Sequence, residues 1–222
     1  MRIAGTWRIS AYLTNLEAML ALCHNSPFLP CTPPRGTPDD LEWWKQHLSR
    51  PDIPRPIPEP KPLIDHQAYL DASSEVGIAI TIGTWWRAWH LTSGWKSQGR
   101  DILWAEAVGF ELLALHLLSI SSEGDHIKVY GDNWGVVEGW WRKSSTSRPT
   151  NRIFRRILEL LENHIRMFHT RYIPSAHNPA NPPSRGHFPP YELLLDDLDI
   201  PAKLRPFLVD IVPSECQGFT KP

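Results

Sequence analysis

At 222 residues the chain has room for one full domain and an appendage, and 41% hydrophobic with 21% charged residues argue against disorder. A net charge of −1 and a pI near 6.8 exclude a globally basic protein, so any nucleic-acid contact has to come from a local patch. Three cysteines, Cys23, Cys31 and Cys216, without CxxC spacing, suggest neither a disulfide framework nor a structural zinc site.

In the first residues Arg8, Asn15 and Glu17 interrupt any apolar leader, and no run is expected to approach membrane-spanning length; the chain reads as intracellular. From residue 10 to 23, Tyr12, Leu13, Leu16, Met19, Leu20 and Cys23 recur at spacings of three and four, which predicts an amphipathic helix. Residues 25–62 hold half of the 22 prolines, interrupted by a short helix that Thr37 caps, with Pro38 at its first position, Asp39 and Asp40 in its first turn, and Trp43, Trp44 and Leu48 along it. Residues 51–62 read as a stiff, extended connector, and a domain boundary falls there.

Beyond it the pattern changes. Residues 67–71, 76–83 and 85–91 read as three strands of an antiparallel meander, with Ser73, Ser74 and Gly83 in the turns. Asp101 caps a strong helix running to about residue 119, and a turn at 123–125 leads to a strand at 127–130. A short helix is expected at 135–142, then a longer one capped by Thr150 with Phe154, Ile157, Leu158, Leu161 and Ile165 as its buried stripe, then a strand at 167–173. The order β-β-β-α-β-α-α-β predicts an α/β domain with a mixed five-stranded sheet flanked by helices. The chain divides into a small helical and proline-rich segment (1–62), this domain (63–186) and a tail (187–222) with short helices expected around 193–195 and 207–211.

Three acids stand where burial is expected. Asp71 and Asp132 end the apolar runs Tyr69-Leu70-Asp71 and Tyr130-Gly131-Asp132, while Glu106 heads a helical stripe continued by Phe110, Leu113 and Leu117. Gly109, about one turn on, lets that helix approach the sheet. A right-handed crossover makes the two acid-bearing strands parallel neighbours, with Asp71 and Asp132 near their carboxyl ends, where functional groups of α/β sheets gather. Buried carboxylates must be paired, hydrogen-bonded or metal-bound, so three converging ones predict a site for a hard divalent cation. Two such ions about 3.5–4 Å apart activate water and stabilise a leaving oxygen, which makes metal-assisted phosphodiester hydrolysis the implied chemistry.

The ordered set Tyr69-Leu70-Asp71-Ala72-Ser73-Ser74, Ala105-Glu106-Ala107, Val129-Tyr130-Gly131-Asp132-Asn133 and Asn178-Pro179-Ala180-Asn181-Pro182-Pro183-Ser184-Arg185 resembles the type 1 ribonuclease H domain at the end of retroelement reverse transcriptases, fungal retrotransposons in particular. The resemblance covers about residues 63–186. It implies a ribonuclease H-like fold and hydrolysis of RNA in RNA:DNA hybrids with two Mg²⁺ or Mn²⁺ ions. In that scheme Asp71 bridges both ions, Glu106 and Asp132 complete the leaving-group side, and Asn181 stands where the family's fourth acid helps hold the other ion. An amide oxygen brings no charge, so affinity there should fall. The alternative is a domain that has lost catalysis and binds nucleic acid or a protein partner. An integrase or transposase relative would end its triad on a helical glutamate, which is not seen in suitable context after Asp132. Residues before 63 resemble the piece joining polymerase to ribonuclease H, which makes the polymerase part of a polyprotein a potential partner; their tryptophans are expected to dock them on the domain.

Arg142, Lys143, Arg148, Arg152, Arg155, Arg156, Arg166 and Arg171 form one basic cluster, opposed only by Glu159 and Glu162. Arg148, Arg152, Arg155 and Arg156 read either as a solvated helix face or as a grip on phosphates, and the resemblance favours the grip. Of Trp85, Trp86, Trp89, Trp95, Trp140 and Trp141, most read as core or interface aromatics and one or two as base-stacking platforms. His177 reads as a surface-loop residue.

Overall fold

The computed structural model of the chain describes residues 10–23, 30, 32–49, 62–164 and 166–211. In chain order these form α1 (Thr14–Cys23), α2 (Thr37–Leu48), β1 (Leu63–Ile64), β2 (Ala68–Ala72), β3 (Gly77–Ile82), β4 (Trp85–Leu91), α3 (Ile102–Ile120), β5 (His126–Gly131), α4 (Trp134–Arg142), α5 (Arg148–His164), β6 (Met167–Tyr172), α6 (Asn181–Ser184) and β7 (Leu208–Asp210). The architecture is α/β, a mixed sheet flanked by helices. Its β-β-β-α-β-α-α-β centre follows the predicted order.

β2, β3 and β4 form the antiparallel meander, β5 runs parallel beside β2 with Tyr69 opposite Tyr130, and β6 runs parallel along the far side of β5. The sheet has seven strands where five were expected. The additions are short: β1 pairs with the start of β5, and β7 pairs antiparallel with the end of β4. Residues 207–211, expected to be helical, instead supply β7, because three residues in extended form satisfy the open edge of β4. Around 193–195 only a 3-10 turn, Tyr191–Leu193, forms.

α3 is buried on nearly every side, against β2 and β3 on one face and α4 and α5 on others. Asp101 caps it as predicted, its carboxylate accepting from Trp104 N–H at 3.1 Å. Contrary to the expectation of no membrane-length run, this 19-residue helix is long and apolar enough to span a bilayer, but 72% of that stretch is buried inside the domain. Its all-round apolarity reflects all-round packing. At Gly109 a Cβ would stand 3.1 Å from Ile78 Cγ2, so helix and sheet do meet closely there.

Phe154, Ile157, Leu158 and Leu161 are buried as predicted, while Ile165 lies outside the described residues. α5 begins before Thr150, at Arg148 with Pro149 in its first turn, and the Thr150 hydroxyl bonds Ser147 Oγ at 3.1 Å. Gly36 takes the N-cap position of α2 that was expected of Thr37. The connector at 51–62 lies outside the described residues apart from Pro62.

The residues just ahead of α1, together with α2, dock on α5. Tyr12, buried in the main core, stacks on Trp43 at 3.9 Å, and the Trp44 indole donates to Tyr12 O. The Ala11 carbonyl accepts from Asn151 and Arg155, and Arg155 Nη2 lies 2.6 Å from fully buried Asp40. A second, smaller core on the opposite face of the sheet joins Ala79, Trp86 and Ala88 to Ala180, Phe188 and Ile211. Residues 187–211 therefore share the sheet and core of the preceding domain.

A candidate metal centre at the ends of two parallel strands

The pairing of Tyr69 with Tyr130 in parallel β2 and β5 carries Asp71 and Asp132, each two residues further on, to the same end of the sheet. Glu106, in the second turn of α3, faces them from the layer above. One carboxylate oxygen from each of the three lies within 4.8 Å of the other two. Asp71 and Glu106 are only 3% and 4% exposed, and Asp132 is half-buried.

Such an arrangement is unfavourable with all three groups ionised. Burial first, then the charges of Asp71 and Asp132, raise Glu106 well above the ordinary carboxylate range. Asp71 is pushed up to about 7 by burial, opposed by a hydrogen bond from Ser184 and reinforced by Asp132. Glu106 Oε2 is buried without a hydrogen-bond partner. The three residues fit a divalent cation, which would offset the repulsion, give the orphaned oxygen a partner and meet an oxygen-only donor set.

Asn181, the first residue of α6, is positioned differently from the three acids. Its side-chain amide donates to Ser175 O and Oγ at 3.1 and 3.0 Å, and its Oδ1 is buried without a partner. The group that touches Asp71 from this segment is the Ser184 hydroxyl, which donates to Asp71 Oδ2 and lies 2.8 Å from the Asn181 carbonyl oxygen. Asn178 anchors the same loop, its amide donating to Leu70 O at 2.9 Å and its Oδ1 accepting from Ala180 N. Sequence reading missed the roles of Asn178 and Ser184. The available signal was the spacing Asn178, Asn181, Ser184, three residues apart on one side of a tight turn. Exposed Arg185 borders two shallow clefts of about 300 and 330 Å³, one lined by Ser175, Asn178 and Asn181, the other by Ser73, Ser74 and Ile102, and its charge lowers the Asp71 pKa. His177 is exposed, in the 3-10 turn Ser175–His177.

The basic residues separate into two groups. Arg148 and Arg152 are exposed on α5. Arg155 and Arg156, expected to face phosphates, turn inward: Arg155 to Asp40, and Arg156 in a two-pronged contact to Glu111 at 2.7 and 2.5 Å. The physical reason is that buried Asp40 and Glu111 require countercharges; burial raises the Glu111 pKa, and the Arg156 fork opposes that rise. Arg155→Ala should therefore cost about 3 kcal/mol by leaving buried Asp40 without its countercharge, with only the Asn15 hydrogen bonds remaining, against less than about 0.5 kcal/mol for Arg152→Ala. Urea unfolding of the two variants checks the contrast.

No protein-family model and no curated protein matches the chain. Among solved structures, the crystal structure of RNase H1 from the halophilic archaeon Halobacterium salinarum NRC-1 is similar to it, with 20% sequence identity, 54% of this chain and 91% of that chain covered, and a TM-score of 0.36.

Proposed function

We propose that the chain is a divalent-metal-dependent nuclease of ribonuclease H type that hydrolyses RNA in RNA:DNA hybrids, with a retroelement reverse transcriptase as its origin. The observation that carries the reading is the convergence of Asp71, Glu106 and Asp132 within 4.8 Å at the carboxyl ends of two parallel strands, with one buried oxygen unpartnered. The motif order along residues 69–185 supports the retroelement assignment.

Mg²⁺ or Mn²⁺, when bound, would supply Lewis-acid stabilisation of a phosphodiester's departing oxygen and lower the pKa of the attacking water. The protein's own part is to hold three oxygens in place before substrate arrives. β2 and β5 fix Asp71 and Asp132 by backbone pairing, and α3 fixes Glu106 by packing. Ser184 orients Asp71 by its hydrogen bond, while the rim cation Arg185 favours an approaching phosphate. With Asn181 tied to Ser175, the side expected to hold the other ion has fewer charged donors, which supports weaker affinity there.

Incubation of the purified chain with an end-labelled RNA:DNA hybrid tests this directly. Cleavage of the RNA strand in Mg²⁺ or Mn²⁺, suppressed by chelator and absent with an all-DNA duplex, is the expected result. Loss of the RNA strand that persists in chelator would overturn it. Binding of the hybrid without cleavage in either metal would favour a domain that has lost catalysis.

A further inference from the structure

Beside the acid cluster the surface carries an aromatic patch that the proposed chemistry does not use. Trp134 follows Asp132 by two residues and opens α4, and Tyr172 ends β6 directly opposite Gly131, the residue before Asp132. Their rings stack at 4.6 Å and 10°, yet they remain 60% and 41% exposed. Trp141, seven residues along the same helix and so on nearly the same face, is 51% exposed, with the Arg171 guanidinium 5.5 Å from its ring. Arg142 and Arg171 are exposed around it; Glu138 pairs with Arg142 at 3.7 Å.

Large aromatics left contiguous at a surface indicate a binding role. Stacked flat rings with cations at the margin suit a nucleobase with its phosphate. Inside a duplex each base face is covered by its neighbour, so only an unpaired or terminal base offers a free face. We propose that Trp134 and Tyr172 form a stacking platform for an unpaired nucleotide of a strand leaving the hybrid next to the acid cluster, which gives the chain a preference for hybrids with a single-stranded extension. This deepens, and rests on, the reading of the chain as a ribonuclease H-type nuclease.

The test is binding in chelator, where cleavage does not interfere: anisotropy of a blunt hybrid and of the same hybrid with a short single-stranded extension carrying 2-aminopurine. Wild type should bind the extended hybrid about tenfold more tightly, the size of one base–aromatic stack, and quench 2-aminopurine. Trp134→Ala and Tyr172→Ala should remove both effects, whereas Tyr172→Phe and Trp85→Ala, the latter altering an exposed indole on β4, should retain them. Equal affinity of wild type for the two hybrids, or a preference unchanged in Trp134→Ala, overturns the platform even where metal-dependent cleavage is found. A preference dependent on Trp134 in a chain that cleaves no hybrid upholds the platform and removes the nuclease reading instead.

Discussion

Asp71→Asn is expected to lower metal-dependent hybrid cleavage by on the order of a thousandfold, the usual scale for removing a group that stabilises charge at the reacting phosphate. Asparagine matches the aspartate in shape and can still accept from Ser184, so the fold should persist and the loss should appear in rate. Asn181→Asp should move activity the other way. An aspartate cannot donate to Ser175 O as Asn181 does, and the repulsion favours a swing away from that carbonyl. A fourth carboxylate would then face the cation site, and the Mg²⁺ concentration giving half-maximal cleavage should fall about tenfold. Single-turnover cleavage across a Mg²⁺ titration measures both variants. If Asn181→Asp instead lowers both activity and melting temperature, Asn181 acts as a brace for the 175–184 loop.

Glu106→Gln should stabilise the metal-free chain at pH 8 by about 2 kcal/mol, because the buried carboxyl, raised well above its ordinary range, must there either carry a charge without a countercharge or take up a proton, and the amide does neither. The sign follows from proton linkage. Asp71 has a folded pKa of about 7 against an ordinary 3.8, so between those values the folded state holds more protons than the unfolded one. Its contribution is thus most favourable below about pH 4 and is lost as pH rises through 7. Glu106 shifts in the same direction. Without metal, stability should decline from pH 5 to pH 8 through these two groups, and Mg²⁺ should raise Tm more at pH 8 than at pH 5. Glu106→Gln should flatten the decline and shrink the Mg²⁺ effect. A metal-free Tm equally pH-dependent in wild type and variant would count against the acid cluster as its source.

The elements carrying the acids were legible because their signals are local. Short runs set off by the turn residues Ser73, Ser74 and Gly83 marked β2 to β4, Asp101 marked the start of α3, and the stripe from Phe154 to Leu161 marked α5. The neighbourhood of β2 and β5 followed from crossover handedness, and with it the pairing of Asp71 with Asp132. What escaped depends on partners remote in sequence. Arg155 looks like a surface cation until Asp40, 115 positions earlier, is placed beside it. Ser184 looks like an ordinary helix-end serine until α6 packs against β2, and Asn181 invites a ligand role until Ser175 claims its amide. Nothing in the run 207–211 distinguishes a short helix from a strand without the edge of β4 to pair with.

That edge bears on where the molecule can be divided. The tail lies along β4 for most of its length, Leu195 N–H bonding Trp86 O near one end and β7 pairing at the other. The Trp86 indole also donates to Pro190 O, and Arg87 to Leu195 O. A chain ending at residue 186 would strip these acceptors from two buried side chains and present β4 as a bare strand, open to the β4 of a second copy. The last twenty-five described residues thus act as the molecule's own guard against sheet-to-sheet self-association.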